Sequence, residues 1–350
     1  MKVQKNILVA PLNWGIGHAT RCMPIIKILE KNEFNVIIAT SGRSLDLLLK
    51  EFPNNEFIKL EDYNVKYYAY LPMSINMLIQ IPKILLGICK ERKHLESIIK
   101  DFKIEGVISD NRYGLYSRAI PSIFITHQLE IQAPIFKNLI KKINYFFINK
   151  FTQCWIPDYK EHGLAGELSH PEEKRENHIY IGPLSRFNNN KQETKFDILA
   201  IVSGPEPQRS IFEEILTKQL KLHKKKALLL QGKPDTEFSR EINNLTIKSH
   251  MTSEELNRVI LQSNLIICRS GYSTIMDLVK LQKNAILVPT PGQTEQEYLA
   301  KFLSKSNNFQ FQNQKEFKLS TAQIQSNNFV TINYQNHLTD WDDILKIFRK

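Results

Sequence analysis

Three strand-to-helix turns in this 350-residue chain hold residue types that could do chemistry. The first, Ala10–Arg21 (APLNWGIGHATR), places Asn13, Gly15 and Gly17 in a tight turn and His18 where a helix begins. A helix N-terminus lowers the pKa of a histidine, so His18 is suited to stay neutral and accept a hydroxyl proton. The plainer reading is a histidine capping its own helix. The third turn, Arg269-Ser270-Gly271, leaves an apolar strand and opens another helix, and free N–H groups there suit phosphate; Ser270, Gly271 and Thr274 are candidate contacts. Arg269 has two readings, a phosphate contact or the partner of a structural carboxylate. Asp110 and His127 follow predicted strands at Gly106–Ser109 and Ser122–Thr126, at carboxyl ends where open α/β sheets bind ligands. Asp110 with His18 would form a base and its orienter; the alternative for Asp110 is an Asx turn with Asn111.

The first turn does not fit a dinucleotide fingerprint. The third glycine of G-x-G-x-x-G is missing, and predicted strand two ends in Ala39-Thr40-Ser41 with no carboxylate for a ribose diol. The middle turn, Ile201–Arg209 (IVSGPEPQR), carries Pro205 and Pro207, which remove two N–H donors from the loop.

The elements that must position these residues alternate. Ile7–Pro11, Asn35–Thr40 and Glu56–Leu60 read as strands, with helices over Ala19–Lys31 and Ser44–Phe52 between them. A helical region follows from Pro72 to Lys93, then the strands ending near Asp110 and His127, then a helical region from Pro134 to Phe151. The alternation restarts with strands Asp197–Val202, Ala227–Leu230 and Leu265–Cys268, and helices Gln208–Leu222 and Ser253–Ser263. Short continuous apolar strands between helices predict parallel sheets covered on both faces. The chain therefore reads as α/β, with two Rossmann-like open-sheet domains. Their spans are residues 1–183 and 196–335, joined by a polar linker over 184–195, with a closing helix at 336–350 that would pack back on the first domain.

Composition narrows the class. At 42% hydrophobic and 24% charged, the chain reads as a globular protein. Its four cysteines stand far apart, with neither zinc-ligand spacing nor a disulfide pattern, which fits a reducing cytoplasm. Neither a signal peptide nor a membrane span is read at the start or elsewhere. A net charge of +11 admits anionic lipid, nucleic acid or phosphorylated ligands, and no nucleic-acid motif accompanies it. The stretches 72–93 and 134–151 mix aliphatic and aromatic residues with almost purely basic charge. They suit an anionic membrane surface, and equally a core-facing stripe with snorkelling lysines.

The segment Ile266–Ala300 (IICRSGYSTIMDLVKLQKNAILVPTPGQTEQEYLA) resembles the donor-binding part of MurG-type glycosyltransferases, the family that carries the glycosyltransferase family 28 C-terminal domain. The matches are Arg269, Ser270, Gly271, Asp277, Val288, Pro289, Gln296 and Glu297. Gly15-x-Gly17-His18 is similar to the acceptor-side loop of the same GT-B fold, and His127-Gln128 is loosely like its acceptor loop. The resemblance implies two domains facing a cleft, and places Asn13, Gly15, Gly17 and His127 on the acceptor side. It further implies that Ser203, Gly204 and Arg209 contact phosphate, that Asp277 holds the ribose, and that Gln296 and Glu297 hold the donor sugar. Asp277 stands where the family carries the longer Glu, and Glu297 where it often carries Gln. His250 would lie beside the base pocket or simply at the surface.

The implied activity is inverting transfer of a hexose or N-acetylhexosamine from a nucleotide sugar, UDP-linked, to a lipid or saccharide acceptor, without metal or cofactor. The setting would be the cytoplasm or the inner face of its membrane. Gly-His-x-x-Arg also resembles a nucleotide-sugar hydrolase of the pseudaminic acid pathway, in which water replaces the acceptor. A hydrolase or epimerase on this fold, and a non-catalytic binding module, remain open alternatives.

Overall fold

The computed structural model describes residues 4–63, 73–131, 137–233, 236–321 and 339–349, with side chains in the helix at 73–101 described from residue 79 onward. The chain divides into two compact units, Met1–Leu184 with Gln335–Lys350, and Ser185–Tyr334.

The first unit is one sheet. Its strands are β1 (Asn6–Pro11), β2 (Asn35–Thr40), β3 (Glu56–Lys59), β4 (Ile104–Asp110), β5 (Ser122–Ile125), β6 (Gln153–Ile156) and β7 (His178–Tyr180), in the spatial order β3-β2-β1-β4-β5-β6-β7 and all parallel. Residues within β1, β2, β4 and β5 are buried nearly throughout, because helices cover both faces and each strand can be apolar on both sides. The covering helices are α1 (Ile16–Lys31), α2 (Gly42–Glu51), α3 (Met73–Asp101) and α4 (Lys137–Ile148). Strand order reverses between β1 and β4, so the chain ends of those two strands open a crevice at their carboxyl edge.

The second unit repeats the plan. Its strands are β8 (Phe196–Ile201), β9 (Ala227–Leu230), β10 (Ser239–Ile242), β11 (Leu245–Lys248), β12 (Ser263–Cys268), β13 (Ala285–Leu287) and β14 (Phe309–Phe311), in the order β10-β11-β9-β8-β12-β13-β14. Among the described strands only β10 runs antiparallel; it is a mostly exposed edge strand. The helices are α5 (Gln208–Leu222), α6 (Ser253–Leu261), α7 (Tyr272–Lys280) and α8 (Thr294–Leu303). Here the order reverses between β8 and β12. Phe212, Leu216 and Leu220 of α5 meet Ile198, Leu229 and Ile267 of the sheet in one core.

Two short helices, α9 (Trp341–Ile344) and α10 (Lys346–Arg349), return to the first unit. Phe348 is 2% exposed and packs edge-on against Phe34 and Trp155. A Cβ on Gly106 would lie 2.5 Å from the Phe348 ring, so only glycine on β4 admits this contact. Thr339 Oγ1 donates to Ile181 O at 2.8 Å.

The structure shifts several expected boundaries. Helix α1 starts at Ile16 rather than Ala19, because Gly15 at φ 106 turns the chain before the first apolar residue. Helix α6 stops at Leu261, and Ser263 already opens β12 by pairing with Phe196. The division between the units falls at Leu184–Ser185, so the polar stretch up to residue 195 lies within the second unit. Strands β6, β7, β10, β11 and β14 were not legible, being three or four residues long and, in β10, without an apolar face. In the stretches 72–93 and 134–151, residues 72 and 134–136 lie outside the described residues. No described helix is long and apolar enough to cross a membrane.

Phe348→Ala is expected to destabilise the first unit by about 3–5 kcal/mol, the usual cost of emptying a buried phenylalanine site. Urea unfolding followed by tryptophan fluorescence measures it; a loss below about 1 kcal/mol would show that the return segment is not part of that core.

Candidate functional site

The first sheet brings together the groups expected from the first turn. His18 is in the first turn of α1, just past β1, and Asp110 is the last residue of β4, the neighbouring strand at the order reversal. His18 Nδ1 lies 2.9 Å from Asp110 Oδ1. Arg21, one helical turn beyond His18, donates from Nε to Asp110 Oδ2 at 2.6 Å and from Nη2 to Oδ1. Its Nη1 sits 3.3 Å from His127 Nδ1, and the Cys22 thiol donates to Asp110 Oδ2 at 3.5 Å. Asp110, Arg21 and His127 are buried, while the His18 side chain keeps 15% of its surface exposed.

Burial alone would raise the Asp110 carboxyl, but the Arg21 guanidinium, and then His18, hold it well below the usual carboxylate range. Burial lowers the His18 pKa; Asp110 opposes this and Arg21 adds to it. The result is an ionised carboxylate beside a neutral imidazole. Arg21 Nη2 also approaches His18 Nδ1, at 2.8 Å, so that nitrogen faces one acceptor and one donor and cannot both donate to Asp110 and accept from Arg21. The ionised carboxylate is the stronger acceptor, which favours Nδ1–H toward Asp110 and leaves the lone pair on Nε2.

Arg21 is the residue that the reading of single positions did not select. The signal was its spacing: residues i and i+3 share a helix face. Asn13 has a scaffold role. Its N–H donates to Asp62 Oδ1 at 3.3 Å and its Oδ1 accepts from Ser44 N at 3.2 Å, pinning the turn to α2. Asp62 is held by Arg112, which also binds the buried Glu91 of α3 at 2.8 Å. Gly15 lies in the turn and Gly17 in the first turn of α1, with Trp14 and Ile16 exposed beside them. A Cβ on Gly15 would meet nothing within 4 Å.

In the second unit the three turns also gather at one edge. Gly204, at φ 109, follows β8; Gly271 caps α7 after β12; Gly292, at φ 82, precedes α8 after β13. The side chains sort into two groups. Arg209 is paired with Glu206 (2.6 Å) and Glu213 (2.7 Å). Ser270 Oγ is buried and donates to Gln296 O at 2.7 Å, while Gln296 Oε1 accepts from Thr290 N at 2.9 Å. Glu297 Oε1 accepts from Gly292 N at 2.9 Å. Arg269 points into the unit and donates to backbone carbonyls, and among the described residues no carboxylate pairs with it. These residues shape the turns. Ser203 and Gly204 are exposed, Gly271 and Thr274 partly so, and a Cβ on Gly271 would meet nothing within 4 Å.

Asp277 lies farther along α7 and accepts from Ser185 Oγ at 2.6 Å. Burial pushes its pKa up to about 6, against the nearby Arg186 and the Ser185 bond. His250 is bonded to Thr236 O at 2.9 Å.

Residues 198–328 match the model of the glycosyltransferase family 28 C-terminal domain. A curated protein of Methanosarcina acetivorans described as an uncharacterized glycosyltransferase is 24% identical over 317 residues, covering 83% of this chain and 81% of that one. Among solved structures, Acinetobacter baumannii MurG superposes with a TM-score of 0.54 at 16% identity, covering 90% of this chain and 87% of its own. The Streptomyces glycosyltransferase SsfS6, complexed with thymidine diphosphate, gives a TM-score of 0.59 at 12% identity, covering 88% of each chain.

Asp110→Ala is expected to destabilise the first unit by about 3–5 kcal/mol at neutral pH, since it strands the buried Arg21 charge. The wild type should lose stability on acidification. His18 and Asp110 both have folded-state pKa values below their unfolded ones, so their contributions are present above about pH 6.5 and about 3.9 respectively, and each falls away below. Urea midpoints across pH measure both; an Asp110→Ala variant as stable as wild type would refute the ion-pair account. The second unit thus matches the glycosyltransferase family 28 C-terminal domain, and the chain shares the two-sheet fold of the solved glycosyltransferases MurG and SsfS6.

Proposed function

We propose that the protein transfers a hexose or N-acetylhexosamine from a nucleotide sugar, UDP-linked, to a lipid or saccharide hydroxyl, with inversion and without a metal. The observation that carries the reading is the His18–Asp110 contact, with a neutral imidazole oriented by an ionised carboxylate. His18 Nε2 takes the acceptor proton. The acceptor oxygen attacks the anomeric carbon from the face opposite the departing group. The bond from that carbon to the diphosphate oxygen breaks, and its electron pair leaves with the nucleoside diphosphate.

The second unit serves the donor. The Gly204 turn and the N-terminus of α7 offer N–H groups to the diphosphate, replacing the charge neutralisation a metal would give. Asp277 takes a ribose hydroxyl in place of Ser185, and the turn before α8, with Gln296 and Glu297, faces the sugar. SsfS6 holds thymidine diphosphate, so thymine is the competing base.

The acceptor is membrane-borne in this reading. Ile79, Leu85 and Leu86 of α3 and Leu139, Ile143 and Phe146 of α4 are exposed, and Ile84 and Phe147 of the same two helices share one cluster with Tyr63. Exposed Lys83, Lys90, Lys137 and Lys142 flank them. Apolar side chains ringed by lysine suit an anionic lipid surface.

His18→Ala should keep the melting shift given by UDP and lose transfer by about 100-fold or more, as removal of a general base does. In the wild type the acid limb of kcat/KM should fall below about pH 6.5, since the His18 pKa is lowered. Release of free sugar without acceptor, abolished by the same variant, would favour the hydrolase reading; unchanged activity would remove His18 from the chemistry. Leu86→Asp with Phe146→Asp should abolish sedimentation with vesicles containing phosphatidylglycerol, and retained binding would place the membrane contact elsewhere.

A further inference from the structure

The second unit buries a cation that pairs with no carboxylate among the described residues. Arg269 is 2% exposed. Its guanidinium donates to the carbonyls of Ser203 (3.3 Å), Val288 (3.2 Å), Pro289 (3.1 Å) and Gln208 (2.9 Å), and to Gln314 Oε1 (2.6 Å). It stacks 4.2 Å from the centre of the Phe212 ring. Every acceptor is a neutral amide oxygen, and among the described residues no carboxylate pairs with it. Burying a charge costs several kcal/mol unless something compensates, and carbonyl dipoles satisfy the donors without cancelling the charge. A neutral residue could bridge these turns at lower cost, so a retained net charge calls for a reason.

The geometry supplies one. In a trans peptide the C=O and the following N–H point in opposite directions. Arg269 draws the Ser203 carbonyl inward, so the Gly204 N–H faces outward, at an exposed glycine whose φ of 109 a side chain would resist. Among the described residues no acceptor takes that N–H. Beside it lies a second orphan: Thr290 Oγ1, buried and without a hydrogen-bond partner, 3.3 Å from where a Cβ on Gly204 would stand. The Pro289 carbonyl is drawn inward in the same way, which turns the Thr290 N–H to Gln296. An outward N–H and an orphan hydroxyl over an uncancelled positive charge together form a site for an oxyanion.

We propose that Arg269 is a positioning residue for the leaving diphosphate: it never touches the donor, but turns the Ser203–Gly204 peptide toward it and sets a positive potential beneath it. This rests on the donor reading given above and adds the source of the charge that replaces a metal. Selectivity for diphosphate over the bare nucleoside then depends on Arg269 remaining unneutralised.

Gln314 allows the charge to be cancelled without touching Arg269 or the site. Gln314→Glu keeps an acceptor on the guanidinium and adds a carboxylate; Gln314→Met removes the acceptor and adds no charge. Calorimetry with UDP and thymidine diphosphate, and with uridine and thymidine, on the full chain reads the effect. Gln314→Glu is expected to weaken diphosphate binding about tenfold, a typical scale for one partly screened charge, while nucleoside affinity and melting temperature hold. Gln314→Met is expected to keep the wild-type preference for diphosphate. A merely structural Arg269 gives the reverse: the Glu variant, with a new ion pair, binds as wild type, and the Met variant loses stability and affinity together. That outcome overturns the proposal. If Gln314→Glu does not fold, loss of the diphosphate preference in Gln314→Met alone overturns it. A wild type that binds no nucleoside diphosphate defeats the donor reading itself, a result distinct from a wild type that binds and a Glu variant that binds equally.

Discussion

Asp110 has no exposure to water, and the carboxyl edge of the first sheet is organised around that constraint. A buried carboxylate stays ionised only if cations and donors surround it. Arg21 grips both oxygens, His18 adds a third contact and Cys22 a fourth, and all three come from one face of α1. The same ion pair therefore fixes the angle at which α1 leaves β1, the orientation of the imidazole and its protonation state. Scaffold and chemistry cannot be separated here: whatever disturbs the pair disturbs the base.

The second sheet solves the opposite problem. Its buried charge is positive, and neutral carbonyls surround it. Both charges sit where strand order reverses, between β1 and β4 in one unit and between β8 and β12 in the other. Adjacent connections there leave to opposite faces, so the turns part and a ligand can approach backbone groups. In the first unit the charge is closed within an ion pair; in the second it is left open toward the turn that offers N–H groups.

Much of this was legible beforehand. Strands such as Asn35–Thr40 and helices such as Gln208–Leu222 were plain, because apolar runs and helical periodicity are local signals. His18 and Asp110 were picked because one opens the helix after a strand and the other ends a strand; that those strands are neighbours came from the sheet order. Arg209, Ser270, Gln296 and Glu297 were picked by position, yet their side chains are spent on neighbours. Motif position tells where a residue stands along the chain, and the partners that claim its polar atoms come from elsewhere. Thr290 and Gln314 drew no notice for the same reason: one is an orphan only once Gly204 stands beside it, the other an acceptor only once Arg269 reaches it.

The sequence by itself determined the alternation of elements, the two sheets, the turns that carry glycine and the residues at their ends, since each depends on neighbours a few positions away. Only the tertiary structure decided which polar atoms remain for a ligand. Arg21 reaches Asp110 across 89 positions and Arg269 reaches Gln314 across 45. Hydrogen bonds form only at about 3 Å and each polar atom accepts or donates few of them, so which atoms stay open to a ligand is settled by whichever distant group folding brings within that distance.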